Sequence, residues 1–266
     1  MKQLVDKFKK YLRVYVKMTT NSFVIWLTRR SAFTIFLIGK IVRYSFYFGF
    51  LIFLVKNTNG FGGFSGNQIL FFTATYVLID TLAQFLFRSV YSFRQLVVSG
   101  DLDLVLVKPV SPLFRSLFGG ADPVDLITLP AIIGVVIYIG SLLSPTILHT
   151  TFYILLVING LVISAAFHIA VLSLGIITTE IDHTVMIYRD LVSIGRFPID
   201  IYKEPFKSLL TFIVPVGVMV TIPAKALIGL VSPLGIISSL IFGLALLFFS
   251  IKFWHYALKK YTSASS

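Results

Sequence analysis

The chain has 266 residues, of which 57% are hydrophobic and only 13% are charged, and its mean hydropathy is +0.92. A soluble globular chain carries about 25% charged residues, so the composition predicts an integral membrane protein. Cysteine is absent, which excludes disulfides, thiolate metal sites and cysteine nucleophiles. The formal net charge is +12. Because the basic residues flank apolar runs, we expect membrane lipid and no nucleic acid as a partner.

The first element is a basic amphipathic helix over residues 1–30. Lys7, Lys10 and Arg13 alternate with Phe8 and Leu12 at helical spacing. Such a pattern is typical of a helix that lies in the membrane interface.

Six apolar segments follow, each a candidate for a membrane-spanning helix of about 20 residues. The fifth is ambiguous because residues 181–197 are weakly apolar, whereas residues 206–230 are more apolar but contain Pro215 and Pro223. The predicted spans are 32–55, 68–87, 124–143, 147–177, 181–197 and 234–258.

The distribution of Lys and Arg predicts the orientation of these spans. Basic residues cluster at the N-terminus, in the segment after the second span and at Lys259 and Lys260. Positively charged loops face the cytoplasm, so we expect both termini there. An even number of crossings follows, which means that only one of the two candidates for the fifth span is a full crossing.

Three charged residues fall inside the first two predicted spans: Lys40, Arg43 and Asp80. Such residues are costly in a membrane and usually face protein or water. Lys40 and Asp80 are predicted at similar depths on neighbouring helices. They could form a polar patch on a translocation path, or Asp80 could pair with Lys40 or Arg43 and lock two spans together. We favour the ion pair, because no third acidic group suggests a proton relay.

The longest polar stretch contains the sequence SGDLDLVLVKPVSP over residues 99–112. It is either a solvated connector or a rigid docking element, and its apolar residues between a glycine and two prolines favour docking. The candidate contact residues are Gly100, Asp101, Leu102, Asp103, Leu104, Lys108 and Pro109, with Leu102, Leu104 and Leu106 as the apolar core of the interface.

Enzymatic function has little support in the sequence. No Gly-rich loop is followed by Gly-Lys-Ser/Thr, so any ATP must be bound by another chain. Residues 63–66 read GFSG, which resembles the serine motif of rhomboid-type intramembrane proteases. A four-residue match in a Gly-rich loop arises easily, so we favour a flexible outer loop. Four histidines, His149, His168, His183 and His255, lack metal-ligand spacing. A secondary transporter is a further alternative, although inverted repeats and midplane acidic residues are not evident.

Two stretches resemble the six-span ABC-2 type transporter permeases. One is the 99–112 run; the other combines GRFPIDIY at 195–202, LLTFIVP at 209–215 and PAKALIG at 223–229. The span pattern matches over essentially the whole chain. The resemblance implies a six-span all-α permease in a prokaryotic plasma or inner membrane, which itself binds no cofactor and catalyses no reaction.

The resemblance also implies partners. Two permease chains, homologous or identical, would pair with ATP-binding-cassette ATPase subunits that bind ATP and Mg²⁺. Residues 1–30 would be the connecting helix, and the 99–112 segment would carry the coupling helix. Residues 206–230 would be a re-entrant hairpin, leaving 181–197 as the fifth span. An outer gate would include Arg196, Pro198, Pro215, Pro223 and Lys225. We expect an exporter of a hydrophobic or amphipathic compound.

Overall fold

The computed structural model describes residues 2–58, 60, 62–178 and 181–262, and over these it contains helices and no β-strand. The predicted all-α, polytopic membrane architecture is therefore confirmed. The α-helices are α1 Lys2–Thr28, α2 Arg30–Thr58, α3 Gly66–Phe87, α4 Phe93–Val98, α5 Asp101–Leu106, α6 Pro112–Leu117, α7 Pro123–Ser141, α8 Ile147–Thr178, α9 Ile181–Ser193, α10 Phe206–Ser208, α11 Ile222–Leu227 and α12 Pro233–Lys260.

Five of the described helices are long and apolar enough to cross a membrane: α2, α3 with its continuation to Val98, α7, α8 and α12. Their positions match five of the six predicted spans. The fifth predicted span, 181–197, is not such a helix, because α9 has 13 residues and rises only about 20 Å against a hydrocarbon thickness of about 30 Å. α9 ends in a 3₁₀ turn, Ile194–Arg196, and the fifth span at 181–197 stays a prediction.

A bent pair of helical segments follows α9. The first runs over Phe206–Ile213 and the second over Gly217–Leu227, and their axes differ in direction by 76°. Pro215 lies in the break, where its missing N–H and fixed φ oppose a continuous helix. The pair is either one broken span or the predicted re-entrant hairpin.

One acidic residue joins the two arms of this bent pair. Asp200 lies 2.9 Å from Lys207 Nζ on the first arm and 2.6 Å from Lys225 Nζ on the second. A hairpin brings its two ends to one side of the membrane, whereas a broken span separates them. The shared carboxylate therefore favours the hairpin.

The bundle has two ends, which we name by their connections. The proximal end carries residues 88–122 and the C-terminus of α12, and the distal end carries loops 62–65 and 142–146. Each end has its own apolar cluster. The proximal cluster includes Phe87, Phe93, Leu102 and Trp254, and the larger distal cluster includes Phe71, Ile79, Tyr153 and Met219.

The spans differ sharply in how far the rest of the chain covers them. In the most apolar window of each helix, 67% of the α3 residues are buried but only 6% of those of α2. α3 is therefore the central helix of the bundle, and α2 is a peripheral one.

α12 packs closely on α8. Asn159 Nδ2 on α8 donates to the backbone oxygen of the small residue Ser239 on α12 at 2.9 Å. Small residues permit such close helix contacts in membranes.

α1 forms hydrogen bonds with residues 109–121 of the proximal end. Lys10 Nζ donates to the Pro109 oxygen at 2.7 Å, and the Ser111 N–H donates to the Tyr11 hydroxyl at 3.1 Å. Further along, Ser22 Oγ donates to the Ala121 oxygen at 3.0 Å. A movement of the 109–121 stretch would therefore reach α1 directly.

Candidate functional site

The predicted docking segment forms a short helix at the proximal end. Gly100 precedes α5 with a φ of +77°, a left-handed conformation that glycine adopts without steric cost. Asp101 begins the helix, and its Oδ2 accepts from Ser99 Oγ at 2.7 Å. A carboxylate at this position is favoured by the helix dipole. The segment is thus a defined turn and helix, not an irregular connector.

The two faces of α5 have opposite environments. Leu102 is 0% exposed and Val105 is 6% exposed, and both belong to the proximal cluster with Trp254. Leu104 is 59% exposed and Val107 is 81% exposed. The prediction that Leu102 forms the core of an interface is wrong, because its side chain is already buried inside this chain.

Most of the other predicted contact residues lie on the exposed face of α5. Leu104 lies there, together with the exposed residues Asp101, Lys108 and Pro109. Asp103 is half-buried. Val107 was not among the predicted contact residues, although it lies three residues after Leu104 and so shares its helical face.

The intramembrane charges are partnered differently from the prediction. Lys40 forms an ion pair with Asp125 of α7, not with Asp80. Asp80 Oδ2 instead accepts from Gln84 Nε2 at 2.7 Å, one turn further along α3. Among the described residues, Asp80 has no ion pair with Arg43 either. The sequence argument missed Asp125, because it considered only charges on the first two spans.

Arg43 and Asp80 nevertheless share a cavity of about 120 Å³ with Arg196. Arg196 was predicted at the outer gate, yet its backbone oxygen accepts from Thr73 Oγ1 of α3 at 3.0 Å. The cavity is also lined by three tyrosines, Tyr44, Tyr47 and Tyr76. The tyrosines were not predicted from the sequence. The spacing of Arg43 and Tyr47, one helical turn apart on α2, could have indicated that they line the same site.

The other predicted gate residues lie around the bent pair. Pro198, Pro215 and Pro223 are buried, and Pro223 lies in the first turn of α11. Lys225 joins the ion pairs of Asp200. Burial alone would raise the pKa of the Asp200 carboxyl, but the two lysines outweigh that cost and hold its pKa below the ordinary value.

The serine of the GFSG stretch has a structural role at the start of α3. The Ser65 N–H donates to Gln68 Oε1 at 2.9 Å, as in a helix capping box. His168 of α8 packs against Phe87 with ring centroids 5.1 Å apart, at the opposite end of α3. A serine–histidine pair of Ser65 with His168 is therefore not formed.

Comparison with known proteins gives one match. Residues 41–265 match the family described as ABC-2 family transporter protein. No curated protein and no solved structure matches. The matched range contains α3 to α12, residues 88–122 of the proximal end and α2 from residue 41 onward, and it leaves α1 and the first part of α2 outside. The chain thus belongs to the ABC-2 transporter family and is a multi-pass permease component of an ABC transporter, in a family of transport components that associate with an ATP-binding-cassette ATPase.

Proposed function

We propose that this permease exports a hydrophobic or amphipathic compound, and that it is driven by a separate ATPase that docks on the exposed face of α5. ATP and Mg²⁺ would be bound by that ATPase. The membrane would be a prokaryotic plasma or inner membrane, with the proximal end and both termini in the cytoplasm.

The observation that carries the proposal is the two-faced burial of α5. Leu102 and Val105 fix the helix to the bundle, while Leu104 and Val107 remain exposed. Exposed leucine and valine side chains beside Asp101 and Lys108 provide an apolar centre with a charged rim, as at many protein interfaces. Pro109 limits the flexibility of the chain after the helix.

The same anchoring provides a route for motion. α5 packs through Leu102 against residues of α4 and α12 in the proximal cluster. α4 follows α3 through the 3₁₀ turn Arg88–Ser92. When two ATPase subunits close on ATP, a displacement of α5 would therefore tilt α3 and α12 and change access between the permeases.

A second permease chain, homologous or identical, would complete the transport path. α2 is scarcely covered by its own chain, and it exposes Arg43 within the apolar span. A charge at the bilayer centre costs about 2.5–3.5 kcal/mol or more. A face with that charge is better placed against a second permease or a water-filled path than against lipid.

The test replaces the two exposed apolar residues of the docking face together, as Leu104→Ser with Val107→Ser. We expect the ATPase to be lost on purification, or ATP hydrolysis to continue without transport, because an apolar interface core has been removed. Membrane insertion and thermal stability should stay unchanged, since neither side chain contributes to the core.

The matched control is Ile147→Ser, an 89% exposed residue at the distal start of α8, which should leave ATPase binding unchanged. Copurification and transport in reconstituted vesicles measure the result. Full ATPase retention and full coupled transport in the double variant would refute docking at this face.

A further inference from the structure

Arginine side chains occupy positions deep in the membrane and remain exposed on the surface of this chain. Arg43 lies about 20 Å from the proximal end of α2, and Asp80 about 20 Å from the distal end of α3, which places both within the hydrocarbon depth. Arg43 and Arg196 are both exposed. Because guanidinium groups are too costly to leave in lipid, this face must meet water, another chain or a bound ligand.

The arginines belong to a series of arginine–tyrosine contacts that extends from the proximal end to the middle of the bundle. At the proximal end, Arg88 and Arg189 both lie over Tyr91, at 5.2 Å and 5.8 Å from the ring centre. The other contacts of the series are Arg43 over Tyr44 at 5.1 Å and Arg196 over Tyr47 and Tyr76 at 5.8 Å each.

These contacts alone do not account for the arginines. A cation–π contact contributes about 0.5–2 kcal/mol, which does not exceed the cost of about 2.5–3.5 kcal/mol or more for the same charge in lipid. Arg196 also makes a side-chain hydrogen bond to Tyr76, but a guanidinium group has five N–H donors, so others remain to bind an acceptor. The series therefore requires a counterpart.

The cavity between Arg43, Asp80 and Arg196 has an excess of positive charge. Two guanidinium groups face one carboxylate, and that carboxylate already accepts a hydrogen bond from Gln84. Neither arginine forms an ion pair among the described residues. The nearby cation Lys40 already forms an ion pair with Asp125.

An unused hydrogen-bonding group points into the same site. The Tyr47 hydroxyl oxygen is buried and has no hydrogen bond of good geometry within the described structure, although Tyr47 lines the cavity. Its neighbour Thr73 interacts with it only weakly, because Thr73 Oγ1 donates its proton to the Arg196 oxygen. A buried hydroxyl without a partner costs about 1–3 kcal/mol. An acceptor in the cavity would remove that cost.

We propose that this cavity binds the anionic group of an amphipathic molecule, a carboxylate or a phosphate, through Arg43 and Arg196 with the Tyr47 hydroxyl as a third donor. Guanidinium groups bind both kinds of anion through paired hydrogen bonds. The volume of about 120 Å³ suits a head group and not a whole molecule, so the apolar part would extend along the exposed apolar surface. The proposal rests on the proposed function and narrows its substrate class to amphipathic anions.

The test uses the full-length chain in phosphatidylcholine nanodiscs and a pair of probes, dansylaminoundecanoate and its methyl ester. We expect the carboxylate to bind about tenfold more tightly than the ester, because only the carboxylate accepts charge-assisted hydrogen bonds. Arg43→Gln and Arg196→Gln should each remove most of that preference and leave ester binding unchanged. Arg13→Gln, an exposed cation of α1, is the matched control.

Asp80→Asn provides a readout in the opposite direction. Removing the carboxylate abolishes its repulsion of the ligand, so carboxylate binding should tighten by about threefold or more. Equal binding of acid and ester by the wild-type chain, or an unchanged preference in both arginine variants, would overturn the proposal. So would weaker carboxylate binding in a folded Asp80→Asn protein.

Nanodiscs that contain phosphatidylglycerol identify the source of the anion. If this lipid displaces the carboxylate probe, the natural ligand is an anionic lipid head group; if the probe stays bound, the site takes other amphipathic anions. The proposed function is tested separately, because ATPase copurification does not depend on the arginines. Equal binding of acid and ester by a wild-type chain that still binds the ATPase would reject only the ligand, whereas full ATPase retention by the α5 double variant would reject only the docking face.

Discussion

At the scale of single residues, the Lys40–Asp125 pair shows how a buried charge is accommodated. Asp125 is 2% exposed and the Lys40 side chain 14% exposed, so water contributes little to either. Each charge offsets the desolvation cost of the other. The pair links α2, which has few other contacts, to α7.

Breaking this pair should therefore be costly. We expect Asp125→Asn to lower the free energy of unfolding by about 3–5 kcal/mol, because it leaves an uncompensated buried lysine. The double variant Lys40→Met with Asp125→Leu should lose much less than the sum of its single variants. Denaturant or thermal unfolding of the purified protein measures these values, and a double-mutant cycle gives the coupling.

The control pair is Lys40 with Asp80, which form no ion pair. Their effects should be closer to additive than those of Lys40 with Asp125. A larger coupling energy for Lys40 with Asp80 would contradict the observed pairing and restore the original prediction.

At the scale of elements, the contact between α8 and α12 depends on a glycine. A Cβ on Gly243 would lie 2.1 Å from Asn159 Oδ1, and Asn159 is 4% exposed and bonded to Ser239. The amide cannot move aside without losing its hydrogen bond. The close approach of the two helices thus requires the absence of a side chain at position 243.

Gly243→Ala should separate α12 from α8 and destabilise the protein by about 1–3 kcal/mol, the usual cost of overpacking. In an Asn159→Ala background the same change should be nearly neutral, because the obstructing amide is gone. Thermal unfolding of the four proteins of this cycle measures the effect. Equal costs in both backgrounds would show that the amide is not what limits the approach.

The error about Leu102 also belongs to the scale of elements. Residues two apart point to opposite sides of a helix, because successive residues rotate by about 100°. Leu102 and Leu104 could share one face only in an irregular or extended segment. Once α5 forms, Leu102 and Val105 share the buried face, and Leu104 and Val107 share the exposed one.

At the scale of the whole molecule, the prediction that remains to be tested is the orientation of the chain across the membrane. We expect the proximal end to be cytoplasmic, because basic residues are concentrated there. The chain lacks cysteine, so single cysteines report position without background. Thr262→Cys, just after α12, should resist a membrane-impermeant thiol reagent in intact cells, and Ser144→Cys in the distal loop should react.

Both variants should react after the membrane is permeabilised, which controls for accessibility. Labelling of Thr262→Cys in intact cells would place the C-terminus outside. That result would move the α5 docking face away from cytoplasmic ATP and remove the basis of the proposed coupling.

The sequence by itself determined the class of the protein. Composition and six apolar segments were enough to predict an all-helical membrane protein, since a membrane leaves a hydrophobic chain few other ways to satisfy the hydrogen bonds of its backbone. The resemblance of the 99–112 and 195–229 stretches to ABC-2 type permeases was enough to indicate the family, which the match over residues 41–265 confirms. The amphipathic pattern of residues 1–30 likewise located α1.

Only the tertiary structure decided which residues meet. Asp125 rather than Asp80 partners Lys40, and Arg196 reaches the same cavity as Arg43 although 153 positions separate them in the chain. Local periodicity determines which face of a helix is apolar, but the packing of α2, α3, α7 and α9 selects the neighbour that each face meets. A charge buried in a bundle pairs with the nearest opposite charge in space, and that distance depends on the packing of all the helices together.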